Sequence, residues 1–76
     1  EHMSKLTIAA SSTDTVIYLQ NTDRFPSFGI LLLEDELIFY TNKLSDRIYG
    51  ISRGYNGTIA KPHLVGSYIR TVVQTL

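Results

Sequence analysis

Two neighbouring apolar runs constrain this chain more than any other feature. Residues 29–33 are apolar throughout, and a second run, Glu36–Thr41, returns after the acidic pair Glu34–Asp35. Short apolar runs separated by a two-residue polar tip predict a β-hairpin. Both runs carry apolar side chains at successive positions, so both faces of the hairpin have to be covered. In a chain of 76 residues, that requires a closed barrel or another polypeptide.

The rest of the chain also favours strands over helices. Ile, Val, Thr, Tyr and Phe are abundant, whereas helical periodicity over a long window is missing. Asn56–Gly57 is the strongest turn signal, because both residue types tolerate positive φ. Six strands are predicted, at residues 5–10, 15–19, 29–33, 36–41, 46–52 and 67–76. We therefore predict an all-β fold, a small antiparallel barrel or roll of about five to six short strands.

Within the predicted strand 46–52, alternation places Ile48 and Gly50 on one face, and Tyr49 and Ile51 on the other. Residues 42–45, before this strand, are predicted to form a polar turn.

The length allows one domain with a small core. Residues 1–3 are interpreted as a cloning remnant, and residues 4–76 as a single small β domain. The chain has no cysteine, so no disulfide or thiolate metal site supports that core. The sequence leaves open whether the domain is a very small protein or a piece excised from a longer one.

The charges are balanced and scattered. The chain has 7 Lys and Arg against 7 Asp and Glu, with no basic stripe of the kind that binds phosphates. No apolar run approaches the roughly 20 residues that a membrane-spanning helix needs. We expect neither a nucleic-acid partner nor a membrane.

Catalytic and metal chemistry find little support. His63 is the one histidine outside residues 1–3, and no serine lies in a G-x-S-x-G elbow. No second histidine or acidic residue stands at ligand spacing from it, and the acidic residues 34–36 alternate between faces. Gly54 and Gly57 bracket a turn with no helix behind it to bind phosphate. We predict no catalytic residue, no metal ligand and no cofactor, and hence no enzyme.

One polar set carries a structural hypothesis. Glu36 and Arg53 are charged residues among apolar neighbours, and a buried charge needs a partner. We predict that Glu36 pairs with Arg53 and that His63 bonds the loop Gly54–Thr58. The alternative, that all three are solvated, has equal weight at this point.

The sequence allows two roles for the tyrosine side chains. They could form a stacking platform for bases or sugars, or they could line strand faces with buried rings and hydroxyls at the rim. The second reading is favoured because no basic groove accompanies them. The residues are Tyr18, Tyr40, Tyr49, Tyr55 and Tyr68.

Several of these residues carry a family resemblance. The strand beginning at Glu36 matches the pattern E-x-I-x-Y, and the segment 53–69 matches R-G-x-x-G-T-x-A-x-x-H-x-x-G-x-x-V with Ile69 in place of the final Val. Residues 25–29 match the lead-in F-P-x-x-G. Together they resemble a recurring module of tail, baseplate and fibre-associated proteins of tailed phages, over residues 15–70. The shared positions, which we treat as a structural motif, are Glu36, Tyr40, Arg53, Gly54, Gly57, Thr58, Ala60, His63 and Gly66.

The resemblance implies a virion structural role. The expected function is a tail or baseplate module that is assembled in the host cytoplasm and docks onto other virion proteins, with a homo-oligomer as one form of assembly. The alternative is a receptor- or glycan-binding module of a tail fibre. The glycines suit positive φ or close backbone approach, Thr58 can cap the turn, and Ala60 fits where a larger side chain would clash. Interaction is expected instead at the hairpin faces and the last strand, through Leu31, Leu33, Leu37, Phe39, Tyr40 and Val72.

Overall fold

A computed structural model describes residues 2–72 and confirms the all-β fold. The single helical element in this range is a 3-10 turn at Tyr55–Gly57. The strands are β1 Met3–Lys5, β2 Val16–Tyr18, β3 Gly29–Leu33, β4 Glu36–Leu44, β5 Arg47–Ser52 and β6 Tyr68–Thr71.

All six strands belong to one antiparallel sheet with the order β1-β6-β3-β4-β5-β2. The sheet curls into a half-barrel, and its two edges approach each other at a bridge between Leu6 and Leu19. Around that bridge, Thr7 N donates to Tyr18 O at 3.0 Å and Gln20 N donates to Lys5 O at 3.0 Å. The curl gives a 76-residue chain an enclosed interior from a single sheet.

The two ends of the described chain lie side by side. β1 pairs with β6 from Met3 opposite Arg70 to Lys5 opposite Tyr68. Beyond this ladder, Thr71 N donates to His2 O at 2.9 Å.

The core lies on the concave side of the sheet. The β3–β4 hairpin has its predicted tip, and its register sets Leu31 opposite Ile38 and Leu33 opposite Glu36. The buried apolar residues are Leu6, Ala10, Ile17, Leu19, Phe25, Leu31, Leu33, Ile38, Tyr40, Ile48 and Ile69.

Three residues of the predicted interaction surface are therefore core residues. Leu31, Leu33 and Tyr40 are all 0% exposed. Because β3 and β4 are paired in register, their inward positions fill the half-barrel, and only the alternate positions reach its outer face. The prediction that these three residues form a docking surface is wrong.

The first and last predicted strands are shorter in the structure. β1 covers residues 3–5 rather than 5–10, and beyond it only Leu6 and Ala10 form isolated bridges. The ladder with β6 breaks because the chain turns just before Tyr68, where Gly66 has φ 88° and Ser67 N donates to Leu64 O. Of the predicted strand 67–76, the structure has Tyr68–Thr71, and residues 73–76 lie outside the described range.

β4 is longer than predicted. It continues to Leu44, so the predicted polar turn at residues 42–45 is wrong, and the turn lies at residues 45–46. Lys43 explains the extension, because its Nζ donates to Thr22 O and Phe25 O, both at 2.7 Å. The lysine thus points toward the protein and holds the preceding loop against β4.

Gly50 breaks the predicted alternation in β5. Its φ is +64°, and Thr41 Oγ1 donates to its carbonyl oxygen at 3.1 Å. Ile48 is buried in the core, and Ile51 also packs against the core, although strict alternation would place these two residues on opposite faces. The irregular backbone at Gly50 therefore changes the face of the residues that follow, and the prediction that Ile51 points away from Ile48 is wrong.

Candidate functional site

The motif residues meet in a buried charge network at one end of the hairpin. Glu36 is the first residue of β4, and Arg53 follows the last residue of β5. Arg53 Nε lies 2.7 Å from Glu36 Oε2, and Arg53 Nη2 lies 3.0 Å from Glu36 Oε1. The predicted pair is confirmed as a two-point contact whose side chains are 8% and 0% exposed.

Arg53 uses all the donors that a guanidinium has. Besides the two bonds to Glu36, Nη1 donates to Ser11 O at 2.7 Å and to Asp14 O at 2.9 Å, and Nη2 donates to Lys61 O at 2.8 Å. A guanidinium carries five N–H groups, and each has one of these acceptors. Arg53 therefore joins β4, the turn at residues 11–14 and the segment before His63.

Glu36 is the centre of the network. Its carboxylate also accepts from Gly54 N at 3.0 Å and Lys61 N at 3.1 Å. Burial alone would raise the pKa of the Glu36 carboxyl, but the hydrogen bonds from Arg53, His63 and the two backbone N–H groups outweigh it and lower the pKa to about 2. Glu36 is an anion at neutral pH.

His63 does not bond the Gly54–Thr58 loop, so that prediction is wrong. Its Nε2 lies 2.7 Å from Glu36 Oε1, and its Nδ1 lies 2.6 Å from Glu34 Oε1. The backbone of His63 pairs with Ala10, with N–O distances of 2.8 and 2.9 Å. That pairing points the ring toward the hairpin tip, where Glu34 and Glu36 reach the same side, as their alternation predicts.

The loop after Arg53 is built as the motif predicts. Gly54 has φ 55°, and a Cβ there would lie 2.9 Å from Thr58 O and 3.0 Å from Ala60 N. The Thr58 hydroxyl donates to Tyr55 O at 2.8 Å and accepts from Leu37 N at 3.0 Å. Asn56 and Gly57 have the positive φ that was predicted, 57° and 88°. Ala60 is half-buried beside Gly54.

The last motif residue, Tyr40, is buried in the core, and its hydroxyl donates to Pro26 O. Burial raises the pKa of the Tyr40 phenol to about 12. The motif thus fixes the lead-in Pro26 and the β3–β4 hairpin to one another.

The histidine of the network is enclosed by its neighbours. The His63 side chain is 0% exposed, and every buried side-chain nitrogen and oxygen in residues 2–72 has a hydrogen-bond partner. No group of three His, Cys, Asp or Glu side chains suited to a metal occurs in the same range. The network fastens four chain segments together through its ion pairs and its hydrogen bonds to the backbone.

Of the predicted interaction surface, Leu37, Phe39 and Val72 reach the outer side, where they are half-buried. A groove of about 460 Å³ runs along this outer face. Phe28, which is 65% exposed, lies at its rim, and the Phe39 and Tyr55 rings stack at 5.4 Å between centroids. Its lining residues are Pro26, Phe28, Gly29, Ile30, Phe39, Tyr55, Thr71 and Val72.

Sequence reasoning missed Ile30 and Phe28 in this groove. The pairing register gives the missing signal, because Ile30 lies opposite Phe39 and so shares its face.

The remaining tyrosines are spread over the sheet. The Arg47 guanidinium lies 4.9 Å from the Tyr18 ring centroid, and Lys5 Nζ lies 5.0 Å from that of Tyr68. Tyr49 lines a shallow pocket of about 240 Å³ with Val16, Tyr18, Leu44 and Arg47.

No protein-family model matches the chain, and no curated protein sequence matches it either. Among residues 2–72, no helix is long and apolar enough to cross a membrane.

Proposed function

We propose that the chain is a structural module of a tailed-phage virion, part of a tail or baseplate, that docks onto other virion proteins. One observation carries the proposal: the charged residues of the phage-like motif bond one another inside the fold, as Glu36, Arg53 and His63 do. A motif used in this way specifies a shape rather than a reaction. The resemblance supplies the virion context.

The outer groove is the proposed docking surface. Ile30 and Phe39 are opposite one another across β3 and β4, as are Leu32 and Leu37, so four apolar side chains stand on one outer face. All four are half-buried, and Phe28 projects beside them. Apolar and aromatic residues with few charges are typical of the central part of a protein interface.

The chemistry of this face suggests the partner. None of the residues that line the groove is Asp, Glu, Lys, Arg or His, and the whole chain has 7 acidic and 7 basic residues. A highly charged partner would lose hydration here without gaining ion pairs. The proposed partner is therefore an apolar segment or face of a neighbouring virion protein. A second copy of the chain would provide such a face too.

Two measurements test the proposal. Mass spectrometry of purified particles of the encoding phage should detect the chain at a fixed ratio to known tail proteins. Sedimentation of the purified chain with disassembled tail proteins should show binding that Phe28→Asp weakens at least about tenfold, because Phe28 lines the groove and is 65% exposed.

Leu64→Asp is the matched control, because Leu64 is 78% exposed but belongs to the turn before β6 and not to the groove. Its binding should stay within about twofold of the wild type. Absence of the chain from purified particles would disprove the virion role. Equal loss in both variants would disprove the groove as the docking surface.

A second candidate function is glycan binding by a tail fibre. Tyr18 and Tyr49 stand on neighbouring strands on either side of Arg47, at the pocket of about 240 Å³. Aromatic rings beside polar groups suit a ligand with both apolar and hydroxyl surfaces. A glycan array that shows binding by the wild type and by Tyr68→Ala, but not by Tyr18→Ala or Tyr49→Ala, would favour this candidate. An array without any bound glycan would reject it.

A further inference from the structure

Asn56 and Gly57 form a surface turn in which a side-chain amide stands next to an unhindered backbone nitrogen. Both residues are exposed, and a Cβ built at Gly57 would meet nothing within 4 Å. The Asn56 carboxamide has no hydrogen-bond partner among residues 2–72. The fold therefore shields neither group from water.

The backbone of this turn has two conformations that share the same end points. Asn56 has φ 57° and ψ 41°, Gly57 has φ 88°, and Thr58 N donates to Tyr55 O at 3.2 Å. Positive φ at both central residues is the mark of a type I′ turn. Rotation of the 56–57 peptide plane by about half a revolution gives a type II′ turn, which needs positive φ only at Asn56. Tyr55 and Thr58 keep their positions in this rotation, so the rest of the loop does not have to move.

The same rotation brings two reactive atoms together. With a ψ of 41°, the Gly57 nitrogen lies across the Asn56 Cα–C bond from Cβ, out of reach of the side chain. After the rotation, this nitrogen is nearly eclipsed with Cβ, and the carboxamide carbon Cγ can approach it to close a five-membered ring. A single 3-10 turn has poor hydrogen-bond geometry, so the rotation disrupts little. The native framework thus gives the turn access to a reactive conformer.

We propose that Asn56 is a self-modification site, at which the chain converts its own asparagine into aspartate and isoaspartate. The Gly57 nitrogen attacks Asn56 Cγ and forms a C–N bond, while the bond from Cγ to Nδ2 breaks. Nδ2 leaves as ammonia and takes the proton of the Gly57 N–H. Water then opens the cyclic imide, with its hydroxyl going to a carbonyl carbon and its remaining proton to the Gly57 nitrogen. Opening at Cγ gives aspartate, and opening at the main-chain carbon gives isoaspartate.

The other two asparagines are held in ways that prevent this reaction. Asn21 is followed by the buried Thr22, whose N–H donates to Ser45 O at 3.1 Å. Asn42 lies within β4, and its Nδ2 donates to Thr41 Oγ1 at 3.0 Å. Neither peptide plane can rotate without breaking a backbone contact of the fold. The structure therefore singles out Asn56.

Isoaspartate would change the loop, because it adds a carbon to the main chain inside the turn. Thr58 closes this turn through its N–H and its hydroxyl, which both bond Tyr55 O, and the same hydroxyl accepts from Leu37 N at 3.0 Å. A longer turn shifts Tyr55 relative to Thr58 and loosens these bonds. The Tyr55 ring, which stacks on Phe39, shifts with it. This consequence is independent of any virion role.

The test is to age the purified chain in mildly alkaline buffer, which favours removal of the Gly57 amide proton, both folded and in urea. Peptide mapping by mass spectrometry should find aspartate and isoaspartate at Asn56, formed in the folded chain at a rate within about tenfold of that in urea. Asn21 and Asn42 should stay unmodified in the same folded samples. Asn56→Gln should abolish the products at this position, because its longer side chain cannot close a five-membered ring.

Asn56→Asp is the matched control for the effect on the loop. It adds the same charge without the additional main-chain atom, and aspartate tolerates positive φ. Amide exchange at Leu37 and Thr58 should be at least about fivefold faster in the isolated isoaspartate form than in Asn56→Asp, which should stay within about twofold of the wild type.

Aspartate without isoaspartate at position 56 would overturn the proposal, because direct hydrolysis by water gives no isoaspartate. A folded chain that reacts more than about tenfold more slowly than the chain in urea would overturn it too, since the turn would then protect Asn56. Equal amide exchange in the isoaspartate form and in Asn56→Asp would disprove the effect on the loop.

Discussion

Replacing Arg53 by lysine should destabilise the fold strongly although it keeps the charge. The guanidinium has five acceptors, whereas a lysine ammonium has three donors and no planar fork. At least two hydrogen bonds are lost. Those to Ser11 O and Asp14 O lie at the exposed end, where water can replace the donor, but those to Glu36 are buried.

The magnitude follows from the buried part of the network. A lost hydrogen bond to a charged group costs about 1.5–3 kcal/mol, so we expect Arg53→Lys to lower the free energy of unfolding by about 2–3 kcal/mol. Arg53→Met leaves the buried Glu36 carboxylate without its cation and should cost about 3–5 kcal/mol. A folded chain of 76 residues typically has a free energy of unfolding of roughly 4–11 kcal/mol, so the Arg53→Met variant should be close to unfolding.

Urea unfolding measures the difference in the free energy of unfolding between the wild type and each variant. Tyrosine fluorescence or circular dichroism can follow it, since the chain has 5 tyrosines and no tryptophan. With a denaturant slope of about 1 kcal/mol/M, Arg53→Lys should lower the midpoint by about 2–3 M. Arg47→Lys is the matched control, because Arg47 also makes a two-point contact, with Asp46 at 2.8 and 3.2 Å, but on the surface. Its cost should stay below about 1 kcal/mol. A loss for Arg53→Lys no larger than that of Arg47→Lys would refute the reasoning.

Two further predictions concern stability at low pH and the substitution of glycines by alanine. The folded-state pKa of Glu36, about 2, lies below its ordinary 4.5, so its contribution to the free energy of unfolding is complete above about pH 5 and is lost as the pH falls toward 2. That loss is on the order of 3 kcal/mol, and urea midpoints measured from pH 7 to pH 2 should show it; a flat profile between pH 5 and pH 2.5 would contradict it. Gly50→Ala should cost more than about 2 kcal/mol, because its Cβ would lie 2.1 Å from Thr41 Oγ1 at a φ of +64°. Gly57→Ala, with φ +88° and open space, should cost about 1 kcal/mol, and thermal melting should place it several degrees above Gly50→Ala; equal melting temperatures would show that the contact with Thr41 is relieved cheaply.

The β3–β4 hairpin could be predicted from the sequence because its signals are local. Five apolar residues, a two-residue acidic tip and a second apolar run specify both strands, and the structure has Gly29–Leu33 and a β4 that begins at Glu36, as predicted. The Glu36–Arg53 pair could be named from the sequence, because a buried charge needs a partner, but solvation of both side chains had equal weight at that point, and their burial decides for the pair.

The errors have a common cause in long-range contacts. The partner of His63 depends on where the segment 61–67 crosses the hairpin, and the backbone pairing of His63 with Ala10 decides that crossing. The extension of β4 depends on Lys43 reaching the carbonyls of Thr22 and Phe25, about twenty residues away. Ile51 faces the core because the preceding residue, Gly50, has a positive φ. The sequence alone does not show whether a glycine within a strand adopts a positive φ.

The adjacency of residues 2 and 71, near the two ends of the described range, has a consequence for how such a domain can be combined with others. Because Thr71 N bonds His2 O at 2.9 Å, a polypeptide enters and leaves this half-barrel at nearly the same point. A host protein could carry the domain as an insertion in a surface loop without separating the two loop ends. For the same reason, a short linker between residues 2 and 71, combined with new termini at the Glu34–Asp35 tip, would give a circular permutant in which the β1–β6 pairing becomes a local hairpin.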